Sequence, residues 1–196
     1  MKVLITTALL LTTAPAFAEF SYDYISGGYT EIDVDSDVID FEWDGFSVGF
    51  SKNIGDNIFV AAGYRDLDAE INGIDAGGAE DYFIEIGGHS SIRDDLDIVL
   101  GVIAGREEVD TGQASDFYGA DVGLRYWLIS ELVEIAASFG YQDVYHSDFS
   151  GLEDGSVIFE AGVRIQPVPL ISIGASYAEV PEFDQEILNV DLRFQF

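Results

Sequence analysis

The sequence predicts an all-β protein: a closed antiparallel up-and-down transmembrane β-barrel, most simply of ten strands. Three observations predict it. Apolar and polar residues alternate along most of the chain, the connections between alternating segments are short and long by turns, and the last and most regular segment ends on a terminal aromatic. In that segment Val190, Leu192, Phe194 and Phe196 share one side, while Asn189, Asp191, Arg193 and Gln195 share the other. A strict period of two is a strand with one apolar and one polar face. Chain ends in water usually fray and gain nothing from apolar area, so a terminal Phe has no role there. In a membrane-spanning strand it sits at the interfacial aromatic girdle.

From the beginning of the chain, residues 1–18 have the features of a secretory signal peptide. Lys2 gives the positive start, 3–11 the apolar core, and Ala16-Phe17-Ala18 the small-x-small cleavage site. The apolar run is too short for a membrane helix, which needs roughly 20 residues. Residues 19–196 then form one domain, the barrel. There is no cysteine, so an exported chain of this kind holds together without disulfides or thiolate chemistry.

The 37 acidic residues against eight basic ones give a net charge of −29, which repels phosphates and excludes nucleic acid as a partner. It also opposes direct contact with anionic lipid unless divalent cations bridge the two. Yet 48% of residues are hydrophobic and mean hydropathy is +0.17. An amphipathic barrel reconciles the two, with apolar residues on lipid and the acids in loops and lumen. Adaptation to high salt is a second account of the acid excess.

Ten alternating segments follow: residues 20–31, 40–52, 57–70, 79–90, 95–106, 115–128, 131–144, 154–166, 169–179 and 185–196. Each exceeds the roughly 9 to 11 residues a tilted strand needs to cross a bilayer. The connections at 53–56, 91–94, 129–130 and 167–168 are tight, whereas those at 32–39, 71–78, 107–114 and 145–153 are longer and acidic. Short turns on one side and long loops on the other, with an even strand count, bring both termini to the short-turn side. An eight-stranded barrel is the alternative if two segments are loop hairpins.

Arginine facing lipid at mid-membrane costs about 2 to 4 kcal/mol, so Arg65, Arg125, Arg164 and Arg193 should point inward. That parity sends Tyr118, Val122, Leu124, Phe159, Val163, Leu192 and Phe194 outward and brings Asp23, Glu85, Asp97, Asp121, Glu134, Glu160 and Asp191 in. Arginines and carboxylates confined together should pair as bidentate salt bridges. About eight strands leave an interior just filled by side chains, so a ten-strand lumen closed by this network is expected. The excess of carboxylates supports the alternative, a narrow cation-preferring passage. Tyr22, Tyr24, Phe46, Phe50, Tyr64, Tyr82, Tyr118, Tyr126, Tyr141, Tyr177 and Phe196 suit the girdles, although Gly27-Gly28 admits a bulge that shifts Tyr29 relative to Tyr22 and Tyr24.

Asp33, Asp35, Asp37 and Asp44 fall at calcium-loop spacings, but Val38 stands where the sharp turn needs glycine, so a solvated acidic loop is expected and no dedicated metal site. His146 lies in sequence near Ser147, Asp148, Ser150 and Glu153, and a Ser-His-acid device there makes an outer-membrane hydrolase a distant third reading. No cofactor is expected.

The export signal, alternating strands, loop asymmetry and terminal Phe resemble the bacterial outer-membrane β-barrels, and most of all the small OmpA- and OmpX-like, porin-family barrels. The resemblance implies a monomeric protein of the Gram-negative outer membrane. It implies also that Phe196, with Phe194 and Leu192, is the signal the barrel-assembly machinery recognises. A structural or surface-interaction role follows, with acidic loops meeting lipopolysaccharide through divalent cations.

Overall fold

The computed structural model describes residues 20–34, 41–147 and 155–196. The signal peptide expected at 1–18, and with it the domain boundary at residue 19, lies outside them. So do Asp35 and Asp37 of the acidic loop and Asp148, Ser150 and Glu153 beside His146.

Ten strands close on themselves: β1 (Tyr24–Val34), β2 (Phe41–Asn53), β3 (Ile58–Ile71), β4 (Ile74–Arg93), β5 (Leu96–Val109), β6 (Ala114–Ile129), β7 (Val133–Ser147), β8 (Ser156–Val168), β9 (Ile171–Val180) and β10 (Gln185–Gln195). Each pairs antiparallel with its neighbours in sequence, and β1 pairs with β10 from Tyr24↔Gln195 to Val34↔Gln185. Closure satisfies every strand edge, which removes the eight-strand alternative. The ladder through Gly27 and Gly28 runs without a register shift on either side, so the bulge does not form. Tyr29 accordingly faces outward while Tyr24 faces the lumen.

Four connections gather at one end with the start of β1 and the end of β10, and all are tight: residues 54–57, 94–95, 130–132 and 169–170. At the opposite end the strands run further than their acidic composition suggests. The loop expected at 71–78 is a two-residue hairpin turn, Asn72-Gly73, with φ of 52° and 74°. Positive φ at both central positions is what an Asn-Gly turn supplies, and it lets β4 reach 20 residues. The loop at 107–114 likewise shrinks to 110–113.

Parity decides the two faces. On the outer wall lie Ile25, Val48, Ile84, Leu100, Val122, Phe139, Val163 and Val190, all exposed. Steps from Leu188 to Phe196 on β10, at about 3.3 Å per residue and a tilt of about 40°, rise roughly 20 Å, close to the roughly 25 Å apolar band of membrane barrels. Among the described residues no outward side chain within this belt is charged.

The lumen is capped by apolar clusters at both ends. At the loop end Ile32, Phe41, Trp43, Leu67, Val180 and Ile187 pack together, and at the turn end Phe20, Tyr22, Phe59, Val99 and Trp127 do so. Tyr22 and Tyr24 thus belong to the lumen and not to a girdle: residues 20–23 fold back into the mouth ahead of β1. The Phe59 ring lies over Gly87 and the Phe83 ring over Gly63, in space a Cβ would fill. Gly87→Ala should therefore force Phe59 from its site at a cost of about 1 to 3 kcal/mol. Urea unfolding in detergent checks this, with Gly27→Ala as the control, since a Cβ there meets nothing nearer than the Ser47 carbonyl oxygen at 3.9 Å.

Candidate functional site: closed lumen and acidic collar

Between the two apolar caps the lumen is ionic. Arg125 from β6 forks onto Glu134 from β7 with Nε and Nη2 bonds of 2.7 and 2.9 Å, and its guanidinium lies between the Phe20 and Tyr22 rings, 4.7 and 4.9 Å from their centroids. Arg164 donates to Asp191 Oδ1 at 2.6 Å and Arg193 to Asp191 Oδ2 at 3.0 Å, with Arg193 over the Tyr24 ring at 4.6 Å. Arg65 donates to Asp81 Oδ2 at 2.8 Å. Charge-assisted pairs of this length are the strong kind, and burial at this depth makes each arginine indispensable to its carboxylate.

The inward parity expected from sequence holds for Arg65, Glu85, Arg125, Glu134, Arg164, Asp191 and Arg193, all buried, and for Asp121 and Glu160, half-buried. The structure brings the four arginines onto Asp81, Glu134 and Asp191, and leaves Glu85, Asp121 and Glu160 without an arginine at salt-bridge distance. Sequence reasoning missed Asp81, though it shares the parity of Glu85 two turns of the pleat away. Asp23 leaves the lumen for the turn-end rim, where it accepts from Lys52 Nζ at 2.7 Å and the Asn53 amide at 2.6 Å.

His89 stacks on Tyr22 at 4.0 Å with its Nδ1 3.7 Å from Asp97 Oδ2. Ser91 donates to Asp97 Oδ1 at 2.6 Å and Tyr22 to Oδ2 at 3.2 Å. Serine and histidine both address the acid, and neither addresses the other, which is not the serine-to-histidine-to-acid order of a nucleophilic triad. In the neighbouring short turn the Arg93 fork on Asp95, at 2.8 and 2.6 Å, holds the Asp95 carboxyl below the usual carboxylate range.

The cavities that remain inside are small. Among the described residues one of about 50 Å³ is lined by Asp121, Arg125, Glu134, Glu160, Arg164, Asp191 and Arg193, and two others hold about 40 and 20 Å³. Such spaces hold a few waters and no sugar or nucleotide.

The third location of the acids is the outer wall. Above the apolar belt, at the loop end, outward parity gives Glu31, Asp33, Glu42, Asp44, Asp66, Asp68, Glu70, Glu80, Glu108, Asp143, Glu179 and Glu186. Composition places these residues in loops and lumen; they stand on strands that continue beyond the belt, where the outward face meets water. Tyrosines of the girdle bond to them from below: Tyr29 to Asp44 at 2.8 Å and Tyr118 to Asp143 at 3.0 Å, with Tyr64 on Glu80 and Tyr177 on Glu186. Oxygens of Glu31, Asp33 and Glu42 lie within 4.8 Å of one another, a spacing that can hold a cation.

With this geometry in hand, comparison with known proteins bears on the fold. The beta domain of the Bordetella autotransporter BrkA superposes with a TM-score of 0.56 at 12% identity, covering 89% of this chain and 99% of that one. The translocator domain of autotransporter NalP from Neisseria meningitidis gives 0.50 at 11% identity, covering 90% and 89%. The fold is that of an outer-membrane β-barrel. The KdgM porin gives 0.48 at 10% identity, covering 88% and 99%. No protein-family model and no curated sequence matches the chain.

Proposed function

We propose that this is an integral protein of a Gram-negative outer membrane whose barrel is a closed, non-enzymatic structural element carrying a surface for lipopolysaccharide. One observation carries the reading: a lumen whose two ends are apolar, whose middle is paired Arg and carboxylate, and whose cavities among the described residues are of about 50, 40 and 20 Å³. In this reading the turn end, with the start of β1 and the end of β10, faces the periplasm and the loop end faces out. The protein resembles the small OmpA- and OmpX-like barrels in using its lumen as a core, and it acts as a monomer delivered by a signal peptide. Phe196, outward and stacked on Phe50 at 6.4 Å, stands with Phe194 and Leu192 as the assembly signal. The acidic collar lies just above the tyrosine girdle, level with lipid phosphates. Divalent cations there join carboxylate to phosphate, which like charges alone would keep apart.

Planar-bilayer recording tests the closed lumen. The expected result is no unitary conductance above baseline in 1 M KCl. Steps that are cation-selective and vanish in the triple variant Glu85→Gln, Asp121→Asn, Glu160→Gln would replace the closed reading by that of a narrow cation channel, which the inward acids without arginine partners favour.

A further inference from the structure

The turn end of the lumen is closed by a piece of chain that is not part of the wall. In the apolar cluster there, Phe20 and Tyr22 come from the segment ahead of β1, and Phe59, Ala61, Val99 and Trp127 come from the barrel. Phe20 is 5% exposed and Tyr22 1%. The Phe20 ring stacks on Trp127 at 5.5 Å and the Tyr22 ring on Phe59 at 4.9 Å. An aromatic pocket, with the Arg125 guanidinium set against both rings, thus receives two side chains of the protein's own segment.

This segment is held differently from a strand. The β1/β10 ladder begins at Tyr24↔Gln195, and just ahead of it the Asp23 carbonyl accepts from the Phe196 amide at 3.2 Å. Lys52 and the Asn53 amide fix the Asp23 carboxylate to the rim. Residues 20–22, by contrast, make no backbone–backbone hydrogen bond among the described residues. Side chains keep them in place: the ring contacts, and the Tyr22 hydroxyl on Asp97 Oδ2 at 3.2 Å. Withdrawing them breaks no rung of the sheet, and Asp23 remains as the hinge. A segment held in this way opens locally at lower cost than the sheet behind it.

Behind the segment lies open space. Val99 and Arg125, which receive it, also line the 50 Å³ cavity, and that cavity shares Asp121, Ser138 and Glu160 with the 20 Å³ one. We propose that residues 20–22 are a displaceable plug, hinged at Asp23, that gates the lumen at the turn end. Seated, they seal the 50 Å³ cavity; withdrawn, they admit water and small cations to it from that side. Cations are favoured because Asp121, Glu134, Glu160 and Asp191 on its wall outnumber Arg125, Arg164 and Arg193. The apolar cap at the loop end is untouched by this motion, so the opened lumen is a vestibule and not a through passage. The proposal rests on the closed-lumen reading, which describes the seated state.

The chain has no cysteine, so a single thiol can report on access. Ala136 lines the 50 Å³ cavity and lies opposite Arg125 on the β6/β7 ladder. Ala136→Cys, folded in detergent micelles, is treated with a cationic methanethiosulfonate, and the labelling rate is read by mass spectrometry. The expected result is labelling at least tenfold faster when Phe20→Ser and Tyr22→Ser are added. Tyr22→Phe keeps every ring contact and loses only the bond to Asp97; it should speed labelling about fivefold, the worth of one hydrogen bond. Trp43→Ala, in the loop-end cap, should leave the rate unchanged. The anionic reagent of the same size should react more slowly than the cationic one in the open variants. Rates unchanged by the plug substitutions, in barrels that keep heat-modifiable gel migration, overturn the plug, and Tyr22→Phe decides alone if the double variant does not fold. Acceleration by Trp43→Ala as large as that of the plug variants overturns its place at the turn end, and equal rates for the two reagents overturn the cation preference. Conductance of the unsubstituted barrel reports separately on the closed lumen: steps there overturn that reading, whereas a silent barrel with unchanged labelling overturns the plug alone.

Discussion

Arg125→Ala should lower the stability of the folded barrel by about 3 to 5 kcal/mol, the cost of stranding one partner of a buried ion pair. The guanidinium is 1% exposed, and its removal leaves Glu134, also buried, with a full charge and no donor fork. The same change deletes the cation from between the Phe20 and Tyr22 rings, so the plug formed by residues 20–23 loses its anchor. Urea unfolding in detergent or lipid vesicles measures the loss. Two comparisons make the cause explicit. Arg125→Met combined with Glu134→Gln should recover much of it, because no buried charge is then left alone. Arg93→Ala, which breaks a solvent-exposed pair of equally short bonds, should leave the unfolding midpoint where it was.

Val122→Arg is expected to destabilise by about 2 to 4 kcal/mol in a bilayer, the cost of arginine on the lipid face near mid-membrane. Val122 lies on the outer wall of β6, four residues below the girdle residue Tyr118 and with only apolar outward neighbours. Asp68→Arg makes a larger change in charge but sits on the collar, in water, and should be near neutral. The contrast separates a lipid-facing belt from an ordinary exposed apolar surface. In the latter case an added arginine would be harmless at both positions. Refolding yield and urea midpoint in phospholipid vesicles read the difference.

Strand number, strand order and the two faces were legible because a barrel repeats one rule, inward and outward in strict turn, and Arg65, Arg125, Arg164 and Arg193 fix its phase on four strands. What lay beyond that rule was harder to see. Tyr22 and Tyr24 look like girdle residues because nothing local announces that residues 20–23 turn into the mouth; the Arg125 guanidinium that receives Phe20 and Tyr22 is a hundred residues away in sequence. The Asn72-Gly73 turn reads as part of a long loop, because the acids on either side suggest one. They stand on strands because water, and not lipid, meets the outer wall at that height. Ion-pair partners depend on register. Arg65 faces Asp81 directly across the β3/β4 ladder, whereas Arg125 reaches Glu134 diagonally, from a slot whose opposite is Ala136. Parity alone cannot make that choice, and it cannot say which inward acids are left without an arginine.

The central claim is that the outer wall meets hydrocarbon below the tyrosines and water above them. The chain has no cysteine. A nitroxide can therefore be placed at single introduced cysteines replacing Val122, Val163 and Val190 in the belt, and Glu42 and Asp68 on the collar, in barrels reconstituted in lipid. The account predicts high oxygen and low water-soluble nickel accessibility at the three belt positions and the reverse at the two collar positions. Nickel accessibility at Val122, Val163 and Val190 equal to that at Glu42 and Asp68 would contradict it.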